Sequence, residues 1–331
     1  MALRIGLLAA SRIAEWAVVE PARLVAGVEV TAVAARDLTC AREAAERWGV
    51  LHAFGSYPEL LAAGLVDAVY VATPASLHRP WVLASLDAGL HVLCEKPVAA
   101  NADDANTIHV AATATDRVVM EAFHWRYHPL VGQMRAALDR IGPIRRVDAW
   151  FVVEEGRIGP GDIRWDIDLG GGATMDLGCY AIAWARWAVG SEPVVVSAHA
   201  EANADGVDAW LAAELSWGDG MTGSVFSSMV GSDRHRGAGL VVTAAHGTMR
   251  VENPLAPQNG STLTVETADG IDVVPVETSS TYFHQLSAFR DAVVDGTPIP
   301  TGPDEAVANM EVIDSCYRAA GLAPRPTHVE D

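Results

Sequence analysis

Cysteine is scarce in this sequence, and the few present are scattered. The 331 residues contain four cysteines, at Cys40, Cys94, Cys179 and Cys316, and no two of them form a CxxC pair. Such spacing is neither the disulfide framework of a small secreted domain nor a cysteine-based zinc pattern. Isolated thiols in a chain of this length indicate a reducing compartment.

Positive charge and long apolar runs are also scarce. Lysine and arginine total 23 against 42 acidic residues, which gives a net charge of -19 and a pI of about 4.9. We therefore expect neither nucleic acid nor a membrane surface as a partner, and any phosphate site must be a local basic feature. No apolar run could span a bilayer, and the first residues lead into an apolar strand without the regions of a signal peptide. We expect a cytoplasmic protein.

The first part of the chain alternates β-like and helix-like segments. Half of the residues are hydrophobic and 20% are charged, a globular balance, and the length suits two domains. The β-like runs are Arg4–Ala9, Val28–Ala34, Ala68–Ala72, His91–Cys94 and Val118–Ala122. With helices between them, this rhythm predicts an α/β domain, a doubly wound parallel sheet of the Rossmann type, over residues 1–122.

The pattern changes after Phe123. The glycine triplet Gly170–Gly172 opens a predicted helix to about Val189, and seven β-like segments follow between Val194 and Val276, separated by turn residues. We therefore expect residues 123–331 to form a C-terminal α+β domain with an open-faced, mostly antiparallel sheet, for substrate binding and oligomerisation. The other predicted elements here are a helix at Pro129–Leu138, a strand at Arg146–Glu154, and helices at Phe283–Val294 and Asp304–Ala319, the last two being candidates to pack back on the first domain.

The turn after the first strand suits a dinucleotide. That fingerprint needs small residues, because the turn is tight and the helix N-terminus approaches the pyrophosphate closely. Gly6 is the one true glycine of the pattern, whereas Ala9 and Ser11 occupy the second and third glycine positions. An ordinary strand–turn–helix unit would have the same sequence pattern, so the motif alone is weak evidence for a dinucleotide site. The residues assigned to the cofactor here are Gly6, Ala9, Ser11, Arg12 and Ile13.

The end of the second strand favours NADP(H) over NAD(H). An acidic residue at this place would bind the ribose hydroxyls of NAD, whereas an arginine suits a 2′-phosphate. Ala35 stands where the acid would be and Arg36 follows it. The alternative is that Arg36 is a solvated charge, with Asp37 and Thr39 as helix caps.

The segment after the third strand is a candidate wall of the same site. Thr73, Pro74 and His78 follow that strand, and ligands of doubly wound sheets bind at the carboxyl ends of strands. The alternative is an ordinary loop with a capping hydroxyl.

The fourth strand carries a more specific pattern. It ends in Glu95-Lys96-Pro97, preceded by Ala-Gly-x-His-Val. This resembles the glucose–fructose oxidoreductase / inositol dehydrogenase / MocA family, and the match extends from Arg4 to about Gly321. The other segments that resemble the family are Ala72–His78, Glu121–Pro129, Gly170–Tyr180 (GGGATMDLGCY), Phe289, Asp291–Val293 and Asn309–Ile313.

The resemblance implies a branch as well as a family. Tyr180 ends the Asp-x-Gly-x-x motif where inositol and many sugar dehydrogenases have histidine, so the chain looks most like the branch with dimeric dihydrodiol dehydrogenase and NADP-linked xylose dehydrogenases. The branch implies NADP, with Glu95 and Lys96 at the cofactor, and a homodimer or dimer of dimers, commonly through the sheet. Ala9 and Ser11 depart from the glycine pattern.

Hydride transfer from a carbinol requires a group that accepts the hydroxyl proton. A free tyrosine has a pKa near 10, and a neighbouring ammonium group lowers it. In the family context we assign Tyr180 as general acid/base, Lys96 as the group that tunes it, and Asp176, four residues before Tyr180, as an orienting group. Without that context, Tyr180 would be a core aromatic, Lys96 a surface charge and Asp176 a cap.

Several further side chains are candidates for the substrate pocket. They are Arg126, His128, Arg164 and Trp165, with Asp166 beside them. No His/Cys/Asp spacing suggests a metal, and no Gly-x-Ser-x-Gly elbow is present.

The sequence thus predicts an NADP(H)-dependent oxidoreductase for a polyhydroxylated or diol substrate: a sugar, keto-sugar or vicinal diol. A non-catalytic NADP-binding sensor on the same scaffold is the alternative, and intact Lys96 and Tyr180 argue against it. A closed redox cycle with a retained cofactor stays open.

Overall fold

The computed structural model describes residues 2–328. Within it the chain divides into two compact units. The first runs to Tyr127 and also contains Tyr282–Val307, whereas the second contains His128–Thr281 and the chain from Ala308 onward. Our sequence-based boundary fell between residues 122 and 123. No helix among residues 2–328 is both long and apolar enough to cross a membrane.

The first unit is built on a parallel sheet of six strands in the order β3-β2-β1-β4-β5-β6. Buried β-branched and apolar runs form its central strands, as expected for a sheet covered on both faces. The doubly wound Rossmann architecture is confirmed. The strands are β1 (Leu3–Leu8), β2 (Val28–Ala34), β3 (His52–Phe54), β4 (Ala68–Val71), β5 (His91–Cys94) and β6 (Val119–Glu121).

Strand β3 and the helix after it were missed from the sequence. His52–Phe54 has three residues and the helix Tyr57–Ala62 has six, so neither is long enough to show a hydrophobic period. Ser56 caps that helix by accepting a hydrogen bond from the Glu59 amide at 3.4 Å.

Two longer helices of the first unit, Leu38–Trp48 and Ala102–Thr113, begin at polar side-chain caps. Asp37 accepts from the Thr39 amide at 2.7 Å, which confirms it as a cap, and Asn101 accepts from the Asp104 amide at 2.9 Å. Leu286 and Phe289 of the helix Thr281–Asp295 are buried in the core of this unit. The other helices are Arg12–Ala14, continued as a π-helical turn Glu15–Val19 and then Glu20–Ala22; Leu38–Trp48; His78–Asp87; and Ala102–Thr113.

The second unit contains an eight-stranded sheet in the order β14-β13-β12-β11-β7-β10-β9-β8. Strands β7 and β10 pair in parallel, and the other neighbours are antiparallel. The expected mostly antiparallel sheet is confirmed. The strands are β7 (Ile144–Val152), β8 (Val194–Ala202), β9 (Asp208–Ser216), β10 (Thr222–Ser228), β11 (Gly237–Ala244), β12 (Gly247–Glu252), β13 (Thr262–Thr267) and β14 (Gly270–Val274).

Helices cover one face of this sheet. Leu130–Ile141 lies against β12, and a helix over residues 174–189, called the site helix below, lies against β7. The sequence predicted the site helix as a regular α-helix. Its first five residues, Thr174–Gly178, are instead π-helical, and the α-helix proper is Cys179–Val189. The last helix of the chain is Pro303–Ala319.

Candidate active site

The turn after β1, residues 9–11, has a strained residue at its start. Ala9 has φ +105°, in the region that favours glycine and that a Cβ penalises. Ser11 follows as the residue before the helix Arg12–Ala14, and its hydroxyl is buried without a hydrogen-bond partner in the described part of the chain. A buried free hydroxyl at a helix N-terminus is suited to an anion such as a phosphate.

Ala9→Gly should therefore stabilise the first unit. A Cβ at positive φ costs about 1–2 kcal/mol, and the extra freedom of glycine in the unfolded chain offsets about half of that. We expect the melting temperature to rise by about 1–3 °C. Ala10→Gly, at a position without positive φ, is the matched control and should lower it. A lower melting temperature for Ala9→Gly would show that the turn is not strained.

Gly6 serves packing, in addition to any role at the cofactor. A Cβ at this position would lie 2.8 Å from Cδ2 of Leu60 on the helix Tyr57–Ala62. The glycine therefore lets that helix pack against β1. Arg12, in contrast, is exposed and Ile13 is partly buried at the start of the following helix.

Arg36 is exposed just beyond the end of β2, as the sequence predicted. Ala35 is buried, and the carboxylate of Asp37 is committed to capping the next helix. No carboxylate of this segment is thus left for a ribose, while the guanidinium of Arg36 is accessible.

His78 lies beneath two loops of the first unit. Its Nε2 is 2.8 Å from the Thr73 carbonyl and its Nδ1 is 2.9 Å from the Pro97 carbonyl. Burial, with help from the charge of Lys96, lowers the pKa of His78 to about 4. With 1% of its surface exposed, His78 links the two loops through their carbonyls, and its assignment as a cofactor residue stays a prediction. Thr73 Oγ1 is buried without a hydrogen-bond partner among residues 2–328.

The loop that follows β5 carries Glu95 and Lys96, both partly buried. The Tyr70 hydroxyl donates to Glu95 Oε1 at 2.5 Å, and the Lys96 amide donates to Glu95 Oε2 at 3.2 Å. Lys96 is the only lysine of the 331-residue sequence, in which every other strongly basic residue is arginine.

Lys96 lies in surroundings that sequence reasoning did not foresee. His124 is buried, its ring lies 4.3 Å from that of Tyr282, and burial together with the Lys96 charge lowers its pKa to about 3. Burial and the negative charge of Glu95 raise the pKa of Tyr282. The two buried histidines beside Lys96, His78 and His124, are therefore neutral near pH 7. Tyr282 had no distinctive signal, because it begins an ordinary amphipathic helix.

Tyr180 lies near the start of the site helix, just after the π-helical turn. Its ring is 5.9 Å from those of Phe151 on β7 and Trp184 on the same helix, and 4% of the residue is exposed. Within α-helices, π-helical turns occur frequently at functional sites. This aromatic packing fixes the ring plane, which a group exchanging a proton in a defined direction requires.

Asp176 and Arg164, both assigned from the sequence, form an ion pair. Arg164 Nε donates to Asp176 Oδ2 at 2.6 Å, and its NH1 lies 3.0 Å from Asp162 Oδ1. The charge of Asp176 is the main cause that raises the pKa of Arg164. Arg164 therefore holds the side chain of Asp176, which lies within the π-helical turn.

The remaining substrate candidates of the sequence are Trp165, His128 and Arg126. Trp165 lines a depression of about 560 Å³ in the second unit, with Asp166 beside it. His128 is buried and accepts a hydrogen bond from the Leu130 amide at 3.1 Å, so it supports the start of the helix Leu130–Ile141. Arg126 belongs to the first unit, where its guanidinium lies 5.8 Å from the Trp125 ring centre. Among residues 2–328 no group of three or more His, Cys, Asp or Glu could hold a metal ion.

Two family descriptions match the sequence. Residues 4–123 match the GFO/IDH/MocA oxidoreductase family, NAD-binding Rossmann fold. Residues 131–250 match the GFO/IDH/MocA C-terminal domain.

Two relatives of known name match most of the chain. D-xylose 1-dehydrogenase (NADP(+)) 2 of Haloferax volcanii is 33% identical over 296 residues, covering 88% of this chain and 90% of the relative. Trans-1,2-dihydrobenzene-1,2-diol dehydrogenase of Mus musculus is 33% identical over 261 residues, covering 78% of this chain and 77% of the relative.

A solved structure matches over nearly the full length. It is a 3-ketoreductase from Actinomadura kijaniata in complex with NADP and TDP-benzene, with a TM-score of 0.88, 27% identity and coverage of 96% of this chain and 98% of that chain. Structures of this ketoreductase also exist for variants substituted at a lysine and at a tyrosine.

Proposed function

This chain belongs to the glucose–fructose oxidoreductase / inositol dehydrogenase / MocA family of oxidoreductases, and on that premise we propose an NADP(H)-dependent enzyme that moves a hydride between the nicotinamide and a carbinol or carbonyl carbon. The substrate class is a sugar, keto-sugar or vicinal diol. The observation that carries the proposal is the placement of Lys96, the single lysine of the sequence, beside the buried His78 and His124 at the carboxyl edge of the dinucleotide-type sheet.

The cofactor edge fits NADP(H). The free buried hydroxyls of Ser11 and Thr73 are available to phosphate or ribose oxygens, and Arg36 provides an accessible guanidinium for a 2′-phosphate. The relatives named above, one NADP(+)-linked and one solved with NADP, support the same preference. When bound, the nicotinamide supplies or accepts the hydride.

Arg36→Ala should relax the cofactor preference. Hydrogen bonds to charged groups contribute about 1.5–3 kcal/mol, or roughly 10–100-fold in affinity. We expect the KM for NADP⁺ to rise by that factor while the KM for NAD⁺ stays unchanged. Arg42→Ala, an exposed arginine on the next helix, is the control. Equal effects on both cofactors would remove Arg36 from 2′-phosphate recognition.

We propose that Tyr180 exchanges the proton. In oxidation its phenolate accepts the hydroxyl proton of the carbinol, and in reduction its phenol donates to the carbonyl oxygen. Lys96 lowers the pKa of that phenol so that both forms are accessible near neutral pH. Asp176, held by Arg164, orients the substrate, and Trp165 is a candidate wall for it.

The open face of the second unit's sheet is where we propose that the homodimer forms. Residues alternate along strands, so Trp150 on β7, Trp210 on β9 and Phe226 on β10 point away from the covering helices. His235 stacks on Trp150 with ring centres 4.7 Å apart. Light scattering on Trp150→Glu/Phe226→Glu should report monomers if this face is the interface, and an unchanged assembly would exclude it.

The test of the function is a panel assay. Nicotinamide absorbance is followed with NADP⁺ and NAD⁺ separately, over aldoses, inositols and cyclic trans-diols, and in reverse with keto-sugars. We expect turnover with NADP⁺ on one class. NADPH binding without turnover on any of them would instead support the sensor, and a cofactor that survives dialysis would support a closed redox cycle.

A further inference from the structure

A fully buried ion pair lies beside the start of the site helix. Arg325 and Asp208 have side chains that are 0% exposed, and the Arg325 guanidinium donates directly to the Asp208 carboxylate. Asp208 is the first residue of β9, and Arg325 belongs to the segment that follows the last helix. The Arg325 guanidinium also lies over the Tyr317 ring, 4.1 Å from its centre.

The Arg325–Asp208 pair forms hydrogen bonds to the backbone at the start of the π-helical turn. Asp208 Oδ2 accepts from the Thr174 amide at 2.8 Å and from the Thr174 hydroxyl at 2.6 Å. Arg325 Nε donates to the Gly171 carbonyl at 2.5 Å. A carboxylate that accepts from a first-turn amide stabilises the start of a helix. The Thr174 amide is therefore held by Asp208 from outside the helix.

Gly172 shows how closely the pair approaches the turn. It has φ +133°, and a Cβ there would collide with the Asp208 carboxylate and the Arg325 guanidinium. The last glycine of the triplet thus has a physical reason: at Gly172 the chain must leave room for a buried ion pair. The pair itself could not be predicted, since Asp208 and Arg325 are far apart along the chain.

The last helix of the chain makes a further contact just after the π-helical turn. Asn309 of the last helix donates from its side-chain amide to the Cys179 carbonyl at 3.2 Å, one residue before Tyr180. The Tyr317 hydroxyl donates to Asp208 at 3.0 Å. The C-terminal part of the chain therefore contacts the Gly171 carbonyl before Asp176 and the Cys179 carbonyl after it.

We propose that Arg325 is a positioning residue that, through Asp208 and Gly171, fixes the π-helical turn and so places Asp176 and Tyr180. Stability alone does not account for the pair well, because a buried ion pair is commonly replaceable by apolar residues without loss. Its partners are the amide and carbonyl of the turn, which indicates a role in alignment. The expected effect on turnover rests on the function proposed above, whereas the expected effect on the π-helical turn does not.

The first test is hydrogen exchange, which needs no substrate. Arg325→Lys keeps the charge and loses the fork geometry. We expect amide exchange at Thr174–Asp176 to become at least about tenfold faster, with little change in the first unit. The control is Arg140→Lys, an arginine of the same unit that lies outside the site helix and pairs with Asp272 at 2.8 Å, in which the turn should keep its wild-type exchange.

The second test separates binding from turnover. We expect kcat of Arg325→Lys to fall about 10–100-fold, since small misplacements of catalytic groups have effects of that size, with the KM for NADP⁺ within twofold of wild type. If Arg325→Lys fails to fold, Tyr317→Phe, which removes one hydroxyl from the network, should show smaller changes of the same kind.

The outcomes distinguish the two proposals. Faster exchange at the turn in Arg325→Lys, together with a wild-type protein that shows no turnover in the panel assay, would support the positioning and refute the function. Unchanged exchange at the turn, or a uniform increase over the whole second unit with kcat unchanged, would overturn the positioning role and leave the function standing.

Discussion

Tyr180→Phe should fold, bind NADPH normally and lose most turnover. The ring packs against Phe151 and Trp184, and phenylalanine keeps those contacts while removing the hydroxyl. General acid–base groups contribute about 10²–10⁴-fold, so we expect kcat to fall by about 10³-fold in both directions. Steady-state kinetics on the substrate found in the panel assay, with NADPH fluorescence titration, measures both quantities.

A matched control is available in the first unit. The Tyr127 hydroxyl forms a hydrogen bond of 2.5 Å with Thr301, so Tyr127→Phe also removes one partly buried hydroxyl. It should cost about 1 kcal/mol of unfolding free energy and leave kcat unchanged. If Tyr180→Phe turns over as fast as wild type, Tyr180 is not the acid/base.

Lys96→Met should change the pH profile as well as the rate. In the proposed tuning of Tyr180 by Lys96, loss of the ammonium raises the pKa of the phenol, so less phenolate is present at neutral pH. In the oxidative direction we expect kcat at pH 7 to fall about 10²–10³-fold and the rising limb of the profile to move to higher pH. The measurement is kcat against pH between 6 and 10.

The control for Lys96→Met removes a positive charge at the amino ends of the strands of the same sheet. Arg117 lies just before β6, paired with Asp116 at 2.7 Å, so Arg117→Met lowers the positive charge of the unit far from the carboxyl ends of the strands. Its pH profile should match wild type. A slower Lys96→Met enzyme with an unshifted profile would mean that Lys96 does not tune Tyr180.

The elements that could be predicted are those with a local signal. The central strands and the longer helices came from hydrophobic runs, turn residues and caps, and most ends lie within two or three residues of the structure. Strand β3 fell below the length at which a period is visible. The π-helical turn was missed because a widened turn has no characteristic residue spacing, and the sequence shows only the glycine triplet and the Asp-x-Gly-x-x motif around it.

The candidate site was only partly visible in the sequence. The positions of Arg36, of Lys96 after β5 and of Tyr180 on a helix follow from local pattern and family resemblance. The burial of His78 and His128 could not be predicted, because the sequence of a loop does not show whether its histidine faces solvent or backbone carbonyls. The Arg164–Asp176 pair and the Arg325–Asp208 pair join residues from separate segments, which one sequence cannot reveal.

The single lysine of the sequence, Lys96, makes labelling of this protein with amine-reactive reagents unusually selective. Reagents that acylate or reductively alkylate amines have, within the 331 residues, one side chain to attack besides the terminal amine, and that side chain lies partly buried in the loop after β5. Coupling to an amine-reactive surface or dye, which for most proteins scatters over the exterior, would here modify the candidate site. A single mass increment on the peptide containing Lys96, and its suppression by NADPH, would therefore read out occupancy of that site without any substrate.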